Sequence, residues 1–240
     1  MSTELPPSQS DAAAGALQIL ATEHWSLLAT RSLTYTEGLG RVTIFLAILS
    51  GAVIALALVA QADHFGTAFS AIAICLLSVV LFTGIATIAR LNALNRDDYR
   101  WVVGMNRLRN AYLKLHPELE AHFITSAHDD LPGALRTLGI DDMTAAGMVG
   151  SAFHLLQTLP GMLSVIVAAD GGAIGALVAL LIGGPPISLV AAAAAGFVVV
   201  LTAMQSWGRR AVTTSAPSLE PRFPSAETPG NESRSNEQPR

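Results

Sequence analysis

Three long stretches of the chain are almost without charge. Val42 to Ala62 holds no Asp, Glu, Lys or Arg, and neither does His64 to Ala89. From Met143 to Gly208 the only formally charged residue is Asp170. About 20 apolar residues at 1.5 Å rise each match the hydrocarbon thickness of a bilayer. A core helix of a water-soluble domain keeps one polar face, and these segments keep none. The pattern predicts four spans, near Val42–Ala62, Ala68–Ala89, Gly161–Ile182 and Ile187–Ser206. The fold class is therefore all-α: a polytopic membrane protein with four transmembrane helices as two hairpins joined by a cytoplasmic helical segment.

The flanking segments divide at 1–10, 11–40, 41–89, 90–142, 143–208 and 209–240. Residues 1–10 are polar and Pro-containing, which predicts disorder. Asp11 is placed to cap a helix that ends around Gly38–Gly40. Within it Ala21, Trp25, Leu28, Ser32, Tyr35 and Leu39 recur at alternating four- and three-residue steps. They form one apolar face, suited to a membrane surface or a partner helix. Residues 41–89 make the first hairpin. Over Arg90–His116 the positions Leu91, Leu94, Asp98, Trp101, Met105, Leu108, Tyr112 and Leu115 follow a heptad seam, broken by Asp98. This helix continues the second span, and Pro117 ends or kinks it. Ala127–Asp142 reads as a loop, with Asp141 or Asp142 capping an approach helix from Met143 that leads into the second hairpin. Gly183-Gly184-Pro185-Pro186 makes the turn of that hairpin, Trp207 marks the headgroup level, and residues 209–240 read as a disordered tail.

Charge gives this arrangement a direction. All fourteen Lys and Arg lie before the first span, between the second and third, or after the fourth. The Gln61–Thr67 connection holds Asp63 and no basic residue, and Gly183–Ile187 holds no charge. Cationic loops stay on the cytoplasmic side during insertion, so both termini are expected in the cytoplasm of a cell whose inner membrane holds the protein. The first forty residues lack a cleavable signal pattern, so the first span is expected to act as its own insertion signal. Composition agrees: 51% of residues are hydrophobic and 13% charged, against about 25% charged in an ordinary soluble domain. Cys75 is the single cysteine, which removes disulfides and cysteine metal clusters and reads as a small buried hydrophobe.

Asp170 is the sharpest chemical feature. A third span starting after it would be only about twelve residues, too short to cross, so a spanning hairpin puts Asp170 near the membrane centre. A central Asp costs about 2.5–3.5 kcal/mol. Three readings follow: a proton or cation site loosened by Gly171–Gly172, a protonated or hydrogen-bonded packing residue, or a re-entrant hairpin that leaves Asp170 wet. Gly171-x-x-x-Gly175 and Ala192-x-x-x-Gly196 are small-residue contacts that let helix backbones approach. His116, His122 and His128 recur at six-residue spacing, which on a helix points successive rings apart. They are read as surface residues, and His154 as a packed or interfacial one. The chain has no phosphate-binding loop, no H-E-x-x-H and no G-x-S-x-G motif. No catalytic residue, metal ligand or cofactor is assigned. The basic Arg90–Lys114 helix is balanced by acids and seamed with hydrophobes, which fits anionic headgroups and not nucleic acid.

The string RLNALNRDDYRWVVGMNRLRNAYLKLHPELEAHFITSAHDD, Arg90–Asp130, resembles a family of uncharacterised bacterial integral membrane proteins. The resemblance covers roughly Trp25 to Asp130 and implies a membrane hairpin, this charged helix and a second apolar region, without an activity. In architecture alone, a soluble helix, a two-span hairpin and an extended inner helix resemble the membrane-effector modules of bacterial nucleotide-signalling defence systems. Two functions are expected to compete. One is a non-enzymatic homo-oligomeric adaptor, sensor or effector that assembles through the seam and meets the lipid bilayer and a protein partner. The other is a small ion or proton channel or transporter using Asp170.

Overall fold

The computed structural model describes residues 9–139, 158–215 and 219–225. Helix α1 spans Gln9–Asp63 and α2 spans Thr67–Leu115. A 3-10 segment covers Pro117–His122, followed by α3, Leu131–Leu138. Helix α4 runs Leu159–Leu181 and α5 runs Pro186–Ser215. Among the described residues there is no strand, and α1, α2, α4 and α5 are long and apolar enough to cross a membrane. The Met143 helix, its cap and His154 lie outside the described residues.

Short-range chemistry sets the helix ends. Between α1 and α2, His64 and Phe65 take positive φ angles of 46° and 61°. Asp63, the only charge in that connection, accepts from the Phe69 backbone N–H at 2.7 Å and so caps α2. Pro117 stops α2 two residues earlier, at Leu115, because it lacks the N–H that would continue the ladder. Thr158 caps α4, its hydroxyl accepting from Gly161 N–H at 3.2 Å. Gly183, at φ 74°, ends that helix, and Pro186 opens the next, where its fixed φ suits a first turn.

The chain forms two compact units. The larger takes Tyr35–Arg96 and Gly147–Ala216; the other takes Met1–Thr34, Asp97–Ala146 and Pro217–Arg240. In the larger unit Phe45 and Ala52 of α1, Val80, Ile88, Leu91 and Leu94 of α2, and Leu163 and Val167 of α4 form one buried cluster. Gly84 lies where three helices meet, since a methyl there would fall 2.5 Å from Val167 Cγ2 and 2.9 Å from Phe45 Cε2. Around this core Ile44, Ile54, Leu58, Val79, Phe82, Ile187, Val190, Val198 and Val199 are exposed. So much large apolar surface is costly in water and suited to lipid. Cys75 belongs to this outward surface, not to the core. Its flanking core residues, Ala73 and Leu77, put it on the opposite side of the helix.

In the smaller unit Val102, Val103, Met105 and Ala134 form a second cluster, with Leu27, Tyr99, Leu138 and Leu219 packed on it. Three expectations are corrected here. Helix α1 does not end at Gly38–Gly40 but continues to Asp63. A glycine inside a helix costs about 1 kcal/mol relative to alanine, and at Gly38 the missing side chain admits Leu91 and Leu94, 3.4 and 3.6 Å from where a Cβ would stand. The segment read as a loop from Ala127 contains α3, capped by Asp130, whose carboxylate accepts from Gly133 N–H at 2.9 Å, and closed by Gly139 at φ 71°. Finally, α5 extends through Ser215, and residues 219–225 are held in place rather than free.

Candidate functional site

The heptad seam of α2 is taken up largely by the chain's own α1. In the larger unit Leu91 and Leu94 are buried, with Gly38 of α1 against both. In the smaller unit Asp98, the residue that breaks the seam, receives Arg31 Nε at 2.6 Å and Nη2 at 3.2 Å. Gly104 leaves room for Leu27, 3.1 Å from a built Cβ. Met105 is buried, Trp101 and Leu108 are half-buried, and Tyr112 stacks on His24 with centroids 6.0 Å apart. Leu115 alone among the seam leucines is exposed. Within one chain, then, Leu91, Leu94 and Met105 of the seam are buried and Leu115 is left exposed. The seam's partner within the chain is a helix 53 to 88 residues earlier, which periodicity within α2 cannot reveal.

The face of α1 that meets α2 includes His24, Leu27, Arg31 and Gly38. Each stands one residue before a member of the expected apolar stripe. The expected stripe itself is open: Trp25 is 71% exposed and Tyr35 64%, with Leu28 and Leu39 also outward. Polar side chains occupy the covered face because α2 supplies partners for them. Burial, then the nearby Arg109 charge, pulls the His24 imidazole below its ordinary value. Higher on α1, Glu37 accepts from Arg90 at 2.9 Å through both oxygens and from Arg41 at 2.8 Å. Those hydrogen bonds, Arg90 first, bring its carboxyl down to about 2.

Asp170 lies in α4 one turn beyond Val167 and is 6% exposed. Both carboxyl oxygens are buried and have no hydrogen-bond partner among the described groups. An unpaired buried acceptor costs about 1–3 kcal/mol, more when charged. Around it the small residues bring α4 and α5 together. A methyl on Gly175 would come within 2.5 Å of the Ala192 carbonyl oxygen, and one on Gly196 within 2.6 Å of the Gly171 carbonyl oxygen. Gly171, Gly175, Ala192 and Gly196 thus pack against each other within one chain.

The richest polar site was not anticipated from the sequence. Asn106 of α2 is fully buried. It donates to the carbonyls of His128, at 2.7 Å, and Gly133, at 3.2 Å. Its own carbonyl accepts from Arg109 at 2.7 Å and Thr137 at 2.9 Å. This fixes the segment that carries Asp129 and Asp130. Asp129 Oδ2 accepts from Arg107 Nε at 2.7 Å and from Arg222 N–H at 2.9 Å. Its Oδ1 accepts from Phe223 N–H at 2.7 Å. Burial alone would raise this carboxyl; the backbone N–H groups of Arg222 and Phe223, with Arg107, overcome that and hold it below the ordinary range. Asp130 Oδ2 accepts from Ser225 N–H at 2.7 Å and Ser225 Oγ at 2.6 Å. Of the three spaced histidines, His116 pairs with Glu118 at 2.9 Å, His128 lends its carbonyl to Asn106, and His122 lies exposed in the 3-10 segment. No known protein family, curated protein or solved structure matches the chain.

Proposed function

We propose that the chain is a non-enzymatic integral membrane protein that works as a homo-oligomeric adaptor, sensor or effector. In this reading two helical hairpins cross the inner membrane, with both termini and the α2–α3 region on the cytoplasmic side, as the basic residues indicate. The carrying observation is the uncovered stripe of α1: Trp25 and Leu28, with Ile19 and Leu33 beside it, stand exposed although the adjacent face of the same helix is already occupied. A second copy offers the same stripe with the same three- and four-residue steps, which self-complementary packing requires. The architectural resemblance to membrane-effector modules is in keeping with this role.

The test is the mass of the full-length protein in detergent micelles. The wild type should form a defined oligomer that Trp25→Asp with Leu28→Asp dissociates while helicity is kept. Leu94→Asp, at a buried position, should instead unfold the chain. A wild-type monomer would end this reading.

A second reading is favoured by Asp170. A carboxyl group buried without a partner in an apolar helix bundle is how proton and cation paths are marked in membranes. It predicts flux through proteoliposomes that Asp170→Asn abolishes, and silent wild-type liposomes would contradict it.

A further inference from the structure

The segment Leu219–Ser225, sequence LEPRFPS, is bound in the way one chain binds an extended peptide from another. Its main chain is read first. Asp129 takes two successive backbone N–H groups, from Arg222 and Phe223, and returns its own N–H to the Phe223 carbonyl at 3.3 Å. Arg107 Nη2 donates to the Glu220 carbonyl at 3.0 Å. Side chains are then read at every second or fourth position. Leu219 packs on the Val102, Val103, Met105 and Ala134 cluster. The Phe223 ring lies under the Lys114 ammonium, 4.1 Å from its centroid. Ser225 reaches Asp130. Pro221, Arg222 and Pro224, between these, face outward.

The receiving side is also held by contacts that do not involve its occupant. The Asn106 network fixes the flanking carbonyls of His128 and Gly133, and Asp130 is the cap of α3; with the tail in place Asp129 and Asp130 are 2% and 1% exposed. A pair of carboxylates this deeply buried needs donors, and the donors it has are mostly main-chain N–H groups, which any extended peptide carries. We propose that Asp129, Asp130, Arg107 and Lys114 form a peptide-binding site for extended segments of the pattern Leu-x-x-x-Phe-x-Ser, with the chain's own residues 219–225 as resident ligand. The site then engages a partner's segment by exchange with the tail. This stands apart from assembly through α1, because it involves neither Trp25 nor Leu28.

A tethered ligand competes at an effective concentration of about millimolar for a short linker, so the wild type should bind an added peptide weakly. The probe is a fluorescent LEPRFPS peptide, and the readout is polarisation with full-length protein in detergent. The double variant Phe223→Ala, Ser225→Ala removes the ring from under Lys114 and the hydroxyl from Asp130; with the tail so loosened it should bind the peptide more than about tenfold more tightly than the wild type. A peptide N-methylated at its Phe loses the donor to Asp129 and should bind that same variant more than about tenfold more weakly. This second arm changes only the ligand, so folding of the protein does not enter it. Equal peptide affinity of variant and wild type, absence of binding by both, or indifference to N-methylation would each overturn the proposal.

Discussion

Two aspartates, each almost wholly buried, sit in opposite surroundings. Asp129 has four hydrogen-bonding contacts around it, three of them main-chain groups of residues 222 and 223. Asp170 has none among the described groups. The difference follows the groups that surround each carboxylate. In the smaller unit polar groups are plentiful, and the burial of Asp129 and Asp130 is tolerable because donors reach their carboxylates. Around Asp170 the helices α4 and α5 bring apolar and small side chains and closed backbone ladders, so a carboxyl group there is held against its preference. One aspartate organises structure; the other is a cost that structure bears.

Substitution should separate the two sharply. Asp129→Ala leaves Arg107 and two backbone N–H groups without their acceptor, so a loss of about 3–5 kcal/mol is expected in urea unfolding of the smaller unit, together with protease cleavage near residue 220. Asp170→Leu should do the reverse, leaving stability unchanged or raising it by about 1–3 kcal/mol. A destabilising Asp170→Leu would show that this carboxyl is satisfied in the membrane. Next in size, Gly175→Leu drives a side chain into the Ala192 carbonyl and should lower thermal stability by about 1–3 kcal/mol or more.

Acid acts on the ion pairs and on the half-buried His24 imidazole. Glu37 is ionised in the folded state down to about 2, against an ordinary 4.5. Its contribution is complete above pH 4.5 and is lost as pH falls towards 2. His24 has a lowered value, so the unfolded chain takes its proton first. Stability should fall as pH drops below the ordinary 6.5, and His24→Gln should flatten that part of the profile. The smallest effect belongs to Arg31 and Asp98, both about a third exposed. A double-mutant cycle there should give no more than about 1 kcal/mol.

Much of this architecture could be read from the sequence, and the gaps have physical reasons. Charge-free runs locate α1, α2, α4 and α5 because each holds a stretch long and apolar enough to cross a membrane. Pro117 stops α2 because a missing N–H acts locally. Asp170 stood out for the same reason that makes it costly. Gly38 misled because a glycine's local penalty was outweighed by room for Leu91 and Leu94. The α1 stripe was found one residue away from the covered face, since His24 and Arg31 are paired by Tyr112 and Asp98, and periodicity carries no information on partners that far along the chain. Asp129 and Asp130 looked like loop acids because their ligands stand more than 90 residues downstream.

The proposed function requires lipid around the apolar helices, with the basic segments on one side. Single cysteines in a Cys75→Ser background test this directly: Phe65→Cys and Ile182→Cys at the two turns, Glu120→Cys in the α2–α3 region. In intact cells a membrane-impermeant maleimide should label the two turn positions and leave Glu120→Cys untouched until the membrane is opened. Labelling of Glu120→Cys together with Phe65→Cys from outside, or release of the protein from membranes by carbonate, would contradict it.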